Sequence, residues 1–419
     1  MFKKIVLENG LRLILVPQKD SQSLTVLVLV GAGSKYETKE KNGISHFLEH
    51  MYFKGTKKRK TPKEVAEALD KVGGIFNAFT SQEYTGYFAK VSFEKLDLAL
   101  EWTSDILLNS IFPEKEIEKE RGVIEEEINM INDNPMSLVS VLWLKCLFGD
   151  QPAGWPITGT KETVKRISRR DLLNYMKSQY VAGNIVLAIA GNFREKEAVT
   201  KVKKYFKKVK SKKWKEREKF KKTKGPNFIF QFKETDQFHL ILGAKGVNLF
   251  DKRRYVQGIL ATILGGMMSS RLFLKIREEM GIAYYINTQS QSDLDCGYLA
   301  TSAGLKLEFL EKGIKEILKE YKKVAKDLSK EELKKAKDNL KGKLSLLLES
   351  SDAKATFFAS QELLERKILT PRQVFKKIDK IVLSQVKNFA QNIFKTNNLY
   401  LALVGPLKRK EKIEKILKI

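Results

Sequence analysis

The chain repeats itself, and that repeat constrains its architecture more than any other feature. Asn184-Ile-Val-Leu-Ala-Ile-Ala-Gly191 and Asn398-Leu-Tyr-Leu-Ala-Leu-Val-Gly405 share the pattern Asn-x-x-Leu-Ala-x-x-Gly, offset by 214 residues. Each follows an amphipathic helical stretch that starts near a serine, Ser168 or Ser384. Upstream, Leu24–Val30 runs into Gly31 much as Phe238–Leu242 runs into Gly243, offset by 212. Two apolar strands matched at nearly one offset argue for a duplicated domain. At 419 residues the chain is long for one core and suits two domains of roughly 200 residues. The expected division is 1–208, a basic Gly-Pro-containing linker at 209–226, and 227–419.

The elements within each half are readable. An Asn9-Gly10 turn joins two strands over 3–16, and an apolar strand follows at 24–31. Gly43 to Phe53 is a short helical segment. Thr61-Pro62-Lys63-Glu64 is a capping box with proline at the first helical position, and Gly73-Gly74 closes that helix. Residues 75–80 and 84–92 read as adjacent strands. Residues 94–109 and 113–132 read as helices, the latter started by Pro113 and stopped by Asn134-Pro135. The second half repeats the mixture, with helices near 251–264, 270–280, 307–327 and 330–349 and strands near 283–290 and 297–304. The expected class is α+β: two homologous domains, each a mixed or antiparallel sheet with helices packed on one face.

Composition narrows the functional classes. No apolar stretch approaches the roughly 18–20 residues that span a bilayer, so no membrane role is expected. Glu8, Asn9 and Arg12 interrupt any signal-peptide core after Met1-Phe2-Lys3-Lys4. Cys146 and Cys296 show no paired spacing, which favours a reducing, cytoplasmic location. The net charge of +28 raises the question of nucleic acid. The excess is mainly lysine spread along the chain, the pattern of a solvated surface, and no specific nucleic-acid partner is expected. An electropositive protein should draw in acidic peptides better than basic ones.

The chain has three histidines, and two of them stand in His46-Phe47-Leu48-Glu49-His50. On a helix, positions i, i+3 and i+4 share a face, so these three polar tips converge. Two imidazoles one turn apart can hold Zn²⁺, and a neighbouring carboxylate can take a proton from an activated water. A catalytic zinc wants a third protein ligand and an open position. The helix 113–132 is rich in carboxylates, and its apolar stripe is Ile117, Ile124, Ile128 and Ile131. Glu120 and Glu127 lie together on one flank of that stripe, while Glu126 points away from the core. The pair suits one metal ligand and one supporting carboxylate; periodicity leaves open which is which.

At this point the residues resemble a known group. His46-x-x-Glu49-His50 is the inverted zinc motif of inverzincins. The run Gly43-Ile-Ser-His-Phe-Leu-Glu-His-Met-Tyr-Phe-Lys-Gly-Thr56 resembles the pitrilysin family, which includes insulysin and mitochondrial processing peptidase. Gly33-Ser-Lys-Tyr-Glu37, Gly73-Gly-x-x-Asn77-Ala78-x-Thr80 and Glu118-Lys-Glu-Arg-x-Val-Ile124 are also similar, and the likeness runs over the whole chain. It implies one Zn²⁺ per subunit, held by His46, His50 and Glu127 (77 residues after the second histidine), with Glu120 in support and Glu49 as general base. It implies that peptide substrates add as a strand beside Asn77 and Ala78. Ser269-Ser-Arg-Leu-Phe-Leu-Lys-Ile-Arg277 followed by Gly281-Ile-Ala-Tyr284 resembles the family's arginine–tyrosine pair, so Arg277 and Tyr284 are expected to grip substrate or steady negative charge.

The implied function is a zinc-dependent metalloendopeptidase acting on short or unfolded peptides within a dimeric chamber. Longer relatives carry four such domains in one chain, so a two-domain chain with both site halves implies a homodimer, each Arg277–Tyr284 pair serving the partner's zinc. A heterodimer is the variant arrangement, and a non-catalytic scaffold subunit is the functional rival. His239, in the apolar strand Phe238–Leu242, reads as a satisfied histidine without metal.

Overall fold

The computed structural model describes residues 2–221, 227–407 and 411–418; the side chains of 411 and 412 are outside the description. Residues 222–226 of the expected linker also lie outside the described residues.

The chain divides into two compact units. In the first, β1 (Lys3–Val6), β2 (Arg12–Pro17), β3 (Ser23–Val30), β4 (Ile75–Thr80), β5 (Thr85–Ser92) and β6 (Ile185–Gly191) form a sheet in the order β1-β2-β6-β3-β5-β4. In the second, β7 (Phe228–Phe232), β8 (Gln237–Lys245), β9 (Ala283–Ser292), β10 (Gly297–Lys306) and β11 (Leu399–Gly405) form a sheet in the order β7-β11-β8-β10-β9. Set β2, β6, β3, β5 and β4 against β7, β11, β8, β10 and β9, and the orders coincide. Each sheet is mixed, with one parallel pairing (β2 with β6, β11 with β7) among antiparallel ones. The duplication is therefore topological as well as textual.

The repeated motif has a physical reason. Asn184 Nδ2 donates to Gln179 O at the end of one helix and to Gly31 O just past β3. Asn398 Nδ2 does the same to Ile393 O and to Lys245 O at the end of β8. One amide thus ties helix end to strand end in both units. The closing glycine has positive φ in both, 124° at Gly191 and 153° at Gly405, a region that side chains disfavour. A Cβ at Gly191 would lie 2.3 Å from Ser23 O.

Strands β3 and β6 are buried on both faces. Leu24, Val26, Val28 and Val30 face a core shared with the helices Ile44–Met51, Leu96–Asn109 and Glu114–Asp133. On the opposite face Leu27, Leu29, Val186 and Ala188 meet one helix, Ser351–Glu365, through Ala355, Phe358, Ala359 and Leu363. That helix comes from the second half of the sequence yet belongs to the first unit, which comprises Met1–Ile128, Pro156–Glu218 and Ser345–Thr370. Reciprocally, Pro135–Phe148 from the first half packs Leu138, Val139, Trp143 and Cys146 against Ile241, Ala300, Tyr400 and Val404 of the second unit. The sequence places a stop at Asn134-Pro135. The structure uses it as a start too: Asn134 Oδ1 accepts from Met136 N and Ser137 N, capping the exchanged helix.

Candidate metal and catalytic site

The site is built on the helix Ile44–Met51. Gly43 opens it at φ 97°, where a Cβ would stand 2.6 Å from Thr158 O, so the entry favours glycine. The buried Glu37 carboxylate accepts from Gly43 N at 2.7 Å, Ser45 N at 2.8 Å and Asn42 Nδ2 at 2.8 Å. It satisfies N–H groups that a helix start leaves without intrahelical partners. Burial pushes the Glu37 carboxyl above its ordinary range, and the same N–H donors oppose that rise. Phe47 and Leu48 face the core, which turns His46, Glu49 and His50 to the half-buried side.

The helix Glu114–Asp133 brings the carboxylates. Ile117, Ile124 and Ile128 are buried in the same core. Arg121 reinforces the approach, its guanidinium lying 5.5 Å from the Phe47 ring centre and donating to Val164 O and Ile167 O. Glu127 Oε2 then stands 3.5 Å from His46 Nε2, and Glu127 Oε1 3.7 Å from His50 Nε2. One ligand atom from each of the three residues lies within 4.8 Å of the others. A tetrahedral ion with arms of about 2.0–2.1 Å needs donor separations of about 3.3–3.4 Å, so the two glutamate–histidine separations are close to those of a zinc site and the set as a whole would draw together around the ion.

The surroundings prepare these donors. His50 Nδ1 is 3.1 Å from Glu120 Oε2, which assigns the ring proton to Nδ1 and leaves the Nε2 lone pair toward Glu127. Glu120 is buried, and its other oxygen meets Lys54 Nζ at 2.7 Å. Burial alone would raise the Glu120 carboxyl, but the hydrogen bonds from His50 and Lys54 hold it below its ordinary range. Burial, with the His50 charge second, pushes the His46 imidazole down to about 3. It is therefore neutral at physiological pH, the form that binds metal. Its Nδ1 is buried with no hydrogen-bond partner.

Glu49 lies beside this cluster. Thr80 Oγ1, at the end of β4, donates to Glu49 Oε2 at 2.5 Å. Burial raises the Glu49 carboxyl, and the Thr80 bond works against that rise. Asn77 is exposed and Ala78 half-buried on the same strand, which ends the sheet order and has no further strand on its outer side among the described residues. Ala78 N donates to Asn77 Oδ1 at 2.8 Å.

Arg277 and Tyr284 belong to the second unit. Arg277 is exposed and stacks on Phe273, 4.8 Å from the ring centre; Tyr284 is 76% exposed. The structure thus gathers His46, Glu49, His50, Glu120 and Glu127 in one unit and sets Arg277 and Tyr284 in the other. His239 pairs with the Tyr285 hydroxyl at 3.1 Å. The sequence alone gives no role to Glu37, Lys54 or Thr80, although each lies within one of the runs that carry the family resemblance, and Lys54 stands one turn after His50.

The sequence matches the family described as Insulinase (Peptidase family M16) over residues 12–161 and Peptidase M16 inactive domain over 166–340. It is 37% identical to a Bacillus subtilis protein named Uncharacterized zinc protease YmxG, across 97% of this chain and 98% of that one. The chain belongs to peptidase family M16. A Rickettsia felis protein named as an uncharacterized zinc protease is 36% identical over 96% of both chains. The same fold is found in a crystal structure of a protease from Helicobacter pylori, with a TM-score of 0.89 and 24% identity over 97% of this chain and 99% of that chain. His46, Glu49, His50, Glu120 and Glu127 fall wholly within the first matched region, and Arg277 and Tyr284 fall within the second.

Proposed function

We propose that this M16 chain is a zinc-dependent endopeptidase that hydrolyses short or unfolded peptides, with His46, His50 and Glu127 holding one Zn²⁺ per subunit. The observation that carries this reading is the convergence of those three donors beside a half-buried carboxylate, Glu49. Bound there, zinc supplies a Lewis acid that polarises the scissile carbonyl and makes water nucleophilic near neutral pH. Glu49 takes the proton from the attacking water and passes it to the leaving amine nitrogen. Glu120 holds the His50 ring in its ligating tautomer. The outer edge of β4 pairs with the peptide backbone at Asn77 and Ala78, which makes capture tolerant of sequence. Two exposed donors, Arg277 and Tyr284, serve substrate or the developing oxyanion.

The chain acts as a homodimer in this reading, each Arg277–Tyr284 pair completing the partner's site; a heterodimer is the variant arrangement. Cys146 and Cys296 are buried thiols, which suits a reducing, cytoplasmic setting. No helix among the described residues is long and apolar enough to cross a membrane. Peptide-library digestion before and after chelation, with zinc restored, tests the enzyme reading. Turnover should vanish on chelation and return with zinc, while Glu49→Gln should bind zinc without turnover. Full activity in the Glu49→Gln variant would overturn the mechanism.

A further inference from the structure

The hydroxyl of Thr80 has no role in the chemistry described so far, although it makes the hydrogen bond of 2.5 Å to Glu49 Oε2. Its setting is built to hold it still. Thr80 closes β4 opposite Thr85, and the two hydroxyls are 3.5 Å apart. Thr85 is fully buried and donates to Ala32 O at 2.8 Å. The turn that follows is locked by Ser81, whose Oγ donates to Tyr84 O and accepts from Tyr84 N. Outside the hairpin, Ser34 N and Lys35 N donate to Ser81 O and Gln82 O. Lys35 Nζ meets Glu83 Oε1 at 3.3 Å, both side chains being buried. Gly33 permits this approach, because a Cβ there would stand 2.3 Å from Ser81 O.

The geometry points to Thr80 as a positioning residue that clamps one oxygen of Glu49 and couples the base to the edge strand. With Oε2 held by the hydroxyl, Oε1 remains as the oxygen that receives the proton. Along β4, Phe76 and Ala78 pack on the helix-side core and Phe79 on the opposite one. Alternation therefore sets Thr80 on the side of the Ile44–Met51 helix. A peptide paired along β4 stiffens the strand that carries Thr80. Backbone capture then reaches Glu49 through one hydrogen bond, so the quality of strand pairing affects turnover as well as affinity. A loosely oriented base forfeits the pre-organised geometry that intramolecular proton transfer needs.

This inference rests on the proposed peptidase reading, and its test separates the two. Thr80→Val keeps the branched shape and removes the hydroxyl; Thr80→Ser keeps the hydroxyl and removes the methyl. With a fluorogenic peptide, Thr80→Val should lower kcat by about 10- to 100-fold, the range for losing a hydrogen bond to a charged group. KM should stay within about twofold, and Thr80→Ser should recover most of the loss. Two readouts besides turnover should not move. Bound zinc per chain should equal that of the wild type. The peptide Kd measured in a Glu49→Gln background should be the same with threonine or valine at 80. Unchanged kcat in Thr80→Val overturns the clamp. So does equal impairment of the serine variant, or loss of zinc or of peptide binding, any of which would assign Thr80 to packing or capture. Wild-type protein that binds zinc and cleaves no peptide would instead defeat the peptidase reading.

Discussion

At the residue scale, the support of the candidate ligand His50 is a chain of two charged contacts. His50 has its Nδ1 on Glu120, and Glu120 has Lys54 on its other oxygen. Removing such a support usually costs roughly 10–100-fold in metal affinity. Glu120→Gln should accordingly weaken zinc binding by that range in a competition titration, while Glu127→Ala, which removes a donor outright, should weaken it further. Full zinc occupancy in Glu127→Ala at sub-micromolar metal would reassign the third ligand. Glu37 makes a separate case. Glu37→Ala would strand the buried N–H groups of Gly43 and Ser45, and each unsatisfied buried donor costs about 1–3 kcal/mol. Urea denaturation should show a loss of about 2 kcal/mol or more, with Glu37→Gln milder because it retains an acceptor oxygen.

At the element scale, the segment bearing Arg277 is held by a neighbouring helix. Arg271 lies just before the π-helical turn Phe273–Glu279 and donates to Glu332 Oε1 at 2.6 Å and Oε2 at 2.8 Å. Glu332 sits on the helix Lys330–Leu347. Burial would raise the Glu332 carboxyl, but the Arg271 hydrogen bond and the Ser329 N–H hold it below its ordinary range. A depressed folded-state pKa means that this pair stabilises the fold above the unfolded value of about 4.3. The contribution disappears as pH falls through the lower folded value. Glu332→Gln should therefore destabilise by about 1 kcal/mol at pH 7, and the gap to wild type should close in acid. A pH-independent gap in denaturation midpoints would contradict this account. The elements themselves were largely legible, because each of the helices Pro62–Asp70 and Arg169–Gln179 carries its own cap at Thr61 or Ser168. The helix Pro135–Phe148 was not, since nearly continuous apolar residues hide its periodicity.

At the scale of the whole molecule, the proposed assembly makes a quantitative expectation. If Arg277 and Tyr284 act on a partner's zinc, mixing Glu49→Gln with Arg277→Ala chains should restore activity. Random pairing of two inactive variants yields one intact site in half of the dimers, so about a quarter of wild-type activity should return. Light scattering on the same mixture should give twice the chain mass. No recovery from mixed, exchanging dimers would place the pair in service of its own chain or of none.

Local order was readable from the sequence because it depends on the backbone period. His46, Glu49 and His50 share a helix face through i, i+3 and i+4 spacing alone, and the two Asn-x-x-Leu-Ala-x-x-Gly runs betray the duplication. Their amides bridge equivalent elements in both units. The choice between Glu120 and Glu127 lay beyond periodicity, because both occupy one flank of one helix. It turns on how that helix rests against the Ile44–Met51 helix, which brings Glu120 to His50 Nδ1 and Glu127 to both Nε2 atoms. Thr80 meets Glu49 only once a hairpin and a helix pack together. The exchange of Pro135–Phe148 and Ser351–Glu365 between units is likewise a matter of packing: each sheet has a second apolar face, and the helix that covers it comes from the other half of the chain. Contacts between residues far apart in sequence follow no short period, so only the tertiary structure decided them.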